Sequence, residues 1–249
     1  MPRPHPPRAA APSFQPLYLQ LKDLLVASLE AGEWRPGEAI PSETELASRF
    51  RVSQGTVRKT ITALADDNLV VRRQGKGTFV ATHTEERASL FRFLRIRRKD
   101  GRDEYPASRV IDVRRGKAPA DVARRLQLKA GNAVITVRRV LEYAGEPAVL
   151  DEIVLPGTLF RGLTKAKVDA YRGSLYSFFE TQFGVRILRA QERVTAVAAD
   201  PTSGAILKVR AGEPLLAMER VTFTYGGRPV EWRRGLCTTR RHFYSNDLS

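Results

Sequence analysis

From Val52 to Lys59 the chain reads Val-Ser-Gln-Gly-Thr-Val-Arg-Lys, a run dense in side chains that donate or accept hydrogen bonds. Val57, Ile61 and Leu64 recur at +4 and +7, which marks the buried face of a short helix. Gln54, Thr56, Arg58, Lys59 and Thr62 then fall mostly on its outer face. Amide, hydroxyl, guanidinium and ammonium groups displayed this way suit the base edges and phosphates of the DNA major groove. Gln74-Gly75-Lys76-Gly77 supplies a second element of the same chemistry. Its glycines let backbone amides come close to a phosphate or a minor-groove edge, and Lys76 adds charge.

Catalytic and metal chemistry find little support. His5, His83 and His242 are scattered without ligand spacing, so no metal and no cofactor is expected. No Ser/His/Asp order and no paired-carboxylate signature occurs. Cys237 and His242 would be the one nucleophile-and-base pair to consider, but a cysteine at a strand end is more often a small apolar filler.

The donor-bearing helix needs elements to position it. Leu17, Leu21, Leu24 and Leu25 form an i, i+4, i+7, i+8 stripe on a first helix that must pack against a partner. A second helix starts at Ser42, with Glu45 three residues on, the pattern of a capping box. Ser53 caps the third helix, a job that competes with phosphate contact. Leu69–Arg73 and Thr78–Val80 read as two strands joined by the Gln-Gly-Lys-Gly turn. The order is that of a winged helix-turn-helix.

Three motifs span this stretch: Pro41-Ser42-Glu43-Thr44-Glu45-Leu46-Ala47, Val52-Ser53-Gln54-Gly55-Thr56-Val57-Arg58 and Arg72-Arg73-Gln74-Gly75-Lys76-Gly77-Thr78-Phe79-Val80. Over Pro16 to Val80 they closely resemble the DNA-binding domain of the GntR family of bacterial transcription factors. The resemblance implies contacts to double-stranded operator DNA from Ser42, Glu43, Thr44, Ser53, Gln54, Thr56, Arg58, Lys59 and the turn Gln74, Gly75, Lys76, Gly77. Arg58 is the leading candidate, because family members place an arginine there against the DNA. Thr44 and Gln54 stand where many members carry arginine. Since arginine reads guanine and glutamine prefers adenine, the operator is expected to differ from the family's usual one.

Length and composition bound the rest. At 249 residues, 42% of them hydrophobic, one or two ordinary domains fit. No run of 18 apolar residues exists, so no membrane span is expected. The Pro-, Ala- and Arg-rich opening, residues 1–13, reads as a disordered tail and a poor signal peptide. A single cysteine rules out an internal disulfide and suits a cytoplasmic protein. The net charge is +15, from 42 basic and 27 acidic residues. Through Val80 stand 11 and 8 of these, so 31 and 19 lie beyond it. Most of the excess is therefore outside the helix-turn-helix, and it reads mainly as a compositional preference for arginine, the alternative being that some of these arginines serve an anionic ligand.

Residues 14–80 form the first domain on this reading, 81–89 a polar linker and 90–245 the second domain. Leu90–Arg98 and about Ala107–Val113 read as strands. Beyond them the chain repeats itself: a helix, Lys-Ala-Gly, strand Val134–Tyr143, an Ala-Gly-Glu-Pro turn and another strand, then a helix, Arg-Ala-Gly, strand Pro214–Tyr225, a Gly-Gly-Arg-Pro turn and another strand. Gly131 matches Gly212, and Arg139-Val140 matches Arg220-Val221. Such duplication predicts two related halves sharing one antiparallel sheet. A helix from about Ser174 to Gln182, stopped by Gly184, and a long strand Arg186–Ala198 lie between them. The fold class is α+β.

Arg139, Gly145-Glu146-Pro147, Leu155-Pro156, Ser174-Leu175-Tyr176, Arg220-Val221 and Pro229-Val230-Glu231 make this half resemble the effector-binding UTRA domain of the HutC subfamily, which is similar to the chorismate lyase fold. The resemblance implies a small-molecule pocket lined by Arg139, Asp151, Ser174, Tyr176 and Glu231, and a homodimer joined through this domain. Arg139 would grip a carboxylate or phosphate, Ser174 and Tyr176 would donate hydroxyls, and Asp151 and Glu231 would accept from hydroxyls or amines. Leu141 and Cys237 stand where sugar-phosphate-binding members tend to show arginine and tyrosine. The expectation is a small anionic effector held mainly by Arg139, a carboxylate rather than a sugar phosphate, with Arg92 or Arg233 as reserve charge. The whole reads as a ligand-responsive repressor. Its rivals are an enzyme of chorismate lyase-like fold and an architectural DNA binder, which would leave about 150 C-terminal residues without a purpose.

Overall fold

A computed structural model describes residues 15–82, 93–102 and 104–246. The expected tail, most of the linker, Leu90 to Arg92, His5 and His83 lie outside the described residues. The chain divides into two compact units, one ending at Ala81 and one starting at Thr82.

The first unit holds α1 (Leu17–Glu30), α2 (Glu43–Phe50), α3 (Gln54–Asp66), β1 (Val70–Arg73) and β2 (Gly77–Val80). The capping box at the start of α2 forms as its spacing requires: Ser42 Oγ accepts from Glu45 N at 3.2 Å, and Ser42 N donates to Glu45 Oε2 at 2.8 Å. The α1 stripe is shifted from the expected one. Leu21, Leu25 and Leu29 are buried, whereas Leu17 and Leu24 are exposed at 53% and 55%. At 100° per residue, Leu25 sits midway between Leu21 and Leu29, and Leu17 and Leu24 lie toward the flank of that arc. Val57, Ile61 and Leu64 of α3 are buried as expected, and each such side chain contributes roughly 1.5–3 kcal/mol. Thr60 joins them, its hydroxyl donating to Thr56 O and to Tyr18 O on α1, at 2.9 and 3.0 Å.

The second unit is built on a six-stranded antiparallel sheet. In chain order its elements are β3 (Ile96–Arg98), β4 (Ala107–Lys117), α4 (Ala120–Arg125), β5 (Ala133–Tyr143), β6 (Glu146–Pro156), α5 (Lys165–Ala170), α6 (Leu175–Phe183), β7 (Arg189–Ala198), α7 (Pro201–Leu207), β8 (Pro214–Phe223), β9 (Pro229–Thr238) and β10 (His242–Tyr244). The sheet order is β4-β5-β6-β9-β8-β7. Strands β4-β5-β6 and β7-β8-β9 are thus the two copies of the repeat, meeting at β6–β9. Gly131 and Gly212 occupy equivalent turns, both at φ near +80°. The expected strand at Leu90–Arg98 is corrected: Phe93, Leu94 and Arg95 are not strand, and Ile96–Arg98 pairs with β10 outside the large sheet.

Register decides which residues share a face. On one face Asp112, Arg138, Glu152, Arg234, Glu219 and Arg193 line up across all six strands, acid and base alternating. Cross-strand opposite charges contribute about 0.2–1 kcal/mol each, so much of the C-terminal charge is a solvated ladder that favours this register. On the other face Arg139, Asp151, Gly235, Arg233 and Arg220 become neighbours. Aromatic residues of α6, Phe178 and Phe179, pack with Ile135, Val137, Ile153 and Leu155 into a core beside them.

Candidate functional sites

In the first unit α3 carries Gln54, Arg58, Lys59 and Thr62 exposed, with Thr56 half-buried. Arg58 is held rather than loose: its Nε donates to Glu43 Oε2 at 3.0 Å. Arg72 Nη2 reaches Glu43 Oε1 at 3.5 Å and the Arg58 carbonyl at 3.2 Å. Glu43 thus sets two arginines on the outer face. Exposed pairs of this kind contribute about 0–1 kcal/mol, so either guanidinium exchanges readily for a phosphate or a base. Gln54 Nε2 donates to Thr44 Oγ1 at 3.2 Å, which couples the two positions that depart from the family pattern. Lys59 Nζ stands 4.2 Å from the centre of the Tyr18 ring. Ser53 is a cap, its Oγ accepting from Thr56 N at 3.1 Å and lying 2.9 Å from Thr56 Oγ1. Gln74, Gly75, Lys76 and Gly77 are all exposed, Gly75 and Gly77 at φ of 70° and 108°.

In the second unit a cavity opens on the sheet face that carries Arg139. It encloses about 780 Å³ of empty space, mouth included, and Arg139, Asp151, Ser174 and Tyr176 line it. Arg139 donates to Asp151 Oδ2 from Nε and Nη2, both at 2.9 Å. Arg233 Nη1 reaches the same oxygen at 3.4 Å, and its Nε donates to Glu231 Oε1 at 2.8 Å. Burial alone would raise the Asp151 carboxyl, but the Arg233 and Arg139 guanidiniums hold it below the ordinary carboxylate range. Burial would likewise lower Arg233, and Glu231, Tyr176 and Asp151 together hold it above the usual guanidinium value. Both groups are therefore ionised. Arg220 donates to Glu192 Oε2 and to the Phe93 carbonyl, each at 2.6 Å.

Matches to known proteins follow the two units. Residues 17–80 match the model of bacterial regulatory proteins of the gntR family, and residues 101–242 match the UTRA domain. The chain belongs to the GntR family and carries a UTRA domain. This regulator is 28% identical over 233 residues to the probable fructoselysine utilization operon transcriptional repressor of Escherichia coli strain K12, covering 92% of this chain and 93% of that one. It is also 28% identical to the histidine utilization repressor of Pseudomonas putida, covering 91% and 90%. Among solved structures, the ligand-binding domain of a candidate GntR-family transcriptional regulator from Bordetella bronchiseptica matches at 44% identity and TM-score 0.60, covering 63% of this chain and 97% of that one. The regulator is thus a DNA-binding, ligand-responsive transcription factor, and no described helix is long and apolar enough to cross a membrane.

Against the sequence-level expectations, the UTRA cavity of the regulator is corrected in three ways. Glu231 does not line it: fully buried, it stands behind the wall and binds Arg233 and Tyr176. The Tyr176 hydroxyl is committed to Glu231 Oε1 at 3.2 Å, and burial raises its pKa, so it is not a spare donor. Arg139 is not the sole cation, because Arg95, Arg220 and Arg233 also line the cavity. Ser174 does line it while capping α6, its Oγ accepting from Ser177 N at 3.0 Å. Leu141 is part of the wall. Cys237 is buried in an apolar cluster, its thiol pushed up to about 12 by burial and then by Asp151, which makes it a filler and a poor nucleophile. Arg92 lies outside the described residues.

The missed residues left signals. Arg220 is the repeat equivalent of Arg139. Glu231, Arg233 and Gly235 follow at i, i+2 and i+4 on β9, so strand alternation alone puts them on one face.

Proposed function

We propose that the regulator is a homodimeric repressor, released from its operator when a small anionic metabolite enters the Arg139–Asp151 cavity. The observation that carries this reading is the buried guanidinium cluster at the cavity wall. Arg95, Arg139, Arg220 and Arg233 stand against the carboxylates of Asp151, Glu192 and Glu231, which leaves one positive charge for a ligand to meet. A monoanion balances that surplus. A sugar phosphate dianion overshoots it beside Asp151 and Glu192, so a carboxylate is the favoured class. The apolar wall of Ile96, Leu141, Val149 and Met218 takes the body of the molecule.

On the DNA side, Arg58 and Lys59 of α3 contact base edges or phosphates, helped by Gln54, Thr56, Ser53, Ser42 and Thr44. The turn from Gln74 to Gly77 serves as the wing tip, and Glu43 aims Arg58. One recognition helix reads only a few base pairs, so a dimer on a near-palindromic site supplies the needed specificity. Release follows if the ligand favours a dimer geometry whose two recognition helices no longer match the half-site spacing. Cys237, the nucleophile the enzyme reading would use, is buried with its thiol protonated, which speaks against that reading. The relatives named above are repressors of utilization genes, which supports repression rather than activation.

Calorimetry with simple carboxylates and with a hexosamine phosphate tests the ligand class, and light scattering tests the dimer. A carboxylate should bind, and lose its affinity in Arg139→Ala. Micromolar binding of the hexosamine phosphate undisturbed by Arg139→Ala contradicts the reading, as does a monomer both free and on DNA.

A further inference from the structure

The cavity wall leaves two hydrogen-bonding valences unused, on two groups that touch each other. Asp151 is only 2% exposed, and its Oδ2 takes all the bonds it receives, from Arg139 and Arg233. Its Oδ1 accepts from no group among the described residues. Space is kept open beside that oxygen: a Cβ on Gly235, directly across from Asp151 in the β6–β9 register, would fall 2.9 Å from Oδ1. Arg233, whose Nη1 and Nε are engaged, has no hydrogen-bond partner for Nη2 among the described residues. An acceptor-only oxygen and a donor-only nitrogen therefore belong to two groups already joined by a 3.4 Å contact.

We infer that the effector carries its anion and a hydrogen-bond donor on adjacent atoms, as an α-hydroxy carboxylate with an apolar side chain does. This rests on the anionic-effector reading and deepens it. The carboxylate meets Arg233 Nη2, flanked by Arg139. The α-hydroxyl donates to Asp151 Oδ1, which is ionised and accepts only. A plain carboxylate would satisfy the guanidinium and leave a buried carboxylate oxygen bare, which is the costlier state. A site built to receive a hydroxyl or amine discriminates strongly against the analogue that lacks it. Gly235 is the specificity-determining residue of this arrangement, because a Cβ there would crowd Oδ1 and press on Met218 and Val149. The side chain of the ligand lies against Leu141, Val149 and Met218.

The test is a matched series on the full-length protein, read by calorimetry and by the melting temperature. Leucine, phenylalanine, 2-hydroxy-4-methylpentanoate and 3-phenyllactate are each compared with the acid lacking the α-substituent, 4-methylpentanoate or 3-phenylpropanoate. The amines and alcohols lacking the carboxylate, and glucosamine 6-phosphate, complete the panel. At least one α-hydroxy acid should bind tenfold or more tightly than its unsubstituted partner, and tighter binding of the amino acids than of the hydroxy acids overturns this inference. Gly235→Ala, whose Cβ would fall 2.9 Å from Oδ1 while both arginines stay in place, should erase that difference. The series in the wild-type protein needs no variant, so it decides the matter even for a variant that misfolds. Equal binding within every pair, lost in Arg139→Ala, overturns this inference and leaves the anionic effector standing. Glucosamine 6-phosphate or an uncharged compound as the sole binder overturns both, and a panel in which no acid binds overturns this one.

Discussion

The two units of this regulator use the same functional group in opposite surroundings. In the helix-turn-helix, the Arg58 and Arg72 side chains are 67% and 45% exposed and share the single carboxylate of Glu43. In the UTRA domain, the Arg139, Arg233 and Arg220 side chains are 8%, 11% and 10% exposed, and each has a carboxylate of its own to lean on. Water screens the first set, so its pairs are weak and exchangeable. The second set sits where a lost partner leaves a charge stranded, so its geometry is fixed. An exposed arginine can thus accept any phosphate and search along DNA. A buried one defines the shape of a single ligand. Where the guanidinium sits, more than its presence, sets its role.

The largest effect should come from breaking the buried set. Arg233→Ala leaves the fully buried Glu231 without its guanidinium, while Asp151 keeps Arg139, and should destabilise the UTRA domain by about 3–5 kcal/mol, a fall in melting temperature of roughly 6–20 °C. Arg58→Ala should leave the melting temperature within about a degree, as exposed substitutions do. Differential scanning calorimetry of both variants checks the contrast, and equal shifts would remove it.

Next in size is the loss of a base contact. Arg58→Ala should weaken binding to a DNA fragment selected by the wild-type protein by about 1–3 kcal/mol per half-site, with no change in the salt slope beyond about one unit. Lys76→Ala, at the wing, should weaken binding to selected and unrelated DNA alike and reduce the salt slope by about one. A titration over several salt concentrations separates the two, and sequence-selective loss in Lys76→Ala would reverse their assignments.

The smallest effect concerns Glu43. Glu43→Gln frees Arg58 and Arg72 and removes a negative charge facing the DNA. Affinity for unrelated DNA should rise by a few-fold, and the ratio of selected to unrelated binding should fall. A gel shift with both fragments reads this, and an unchanged ratio would mean Glu43 does not aim Arg58.

The two units also differed in how much of them could be read from sequence. The helix-turn-helix is specified locally: Ser42 with Glu45, Ser53 with Thr56, and the glycines near Lys76 act within a few residues of one another. Its one error, the exposure of Leu17 and Leu24, came from taking the stripe too far toward the flank of α1. The UTRA strands and their duplication were visible as well, because alternation and the Gly131/Gly212 turns are also local. The cavity was only half visible. Asp151 meets Gly235 and Arg233 through the pairing of β6 with β9, two strands about 80 residues apart that no local signal joins. Glu231 was assigned to the lining on resemblance, whereas complete burial gives it the support of Arg233 and Tyr176.

The division of labour between the two arginine sets is tested most directly by fluorescence anisotropy on one selected DNA fragment, with wild-type, Arg58→Ala and Arg139→Ala proteins, titrated with the tightest-binding acid. Arg58→Ala should bind the fragment more weakly by about 2–6 kcal/mol over two half-sites, while its affinity for the acid, measured by calorimetry, stays at the wild-type value. Arg139→Ala should bind the fragment like wild type and remain bound as the acid is added. Wild-type DNA affinity in Arg58→Ala, or release of Arg139→Ala at the same acid concentration as wild type, would contradict the account.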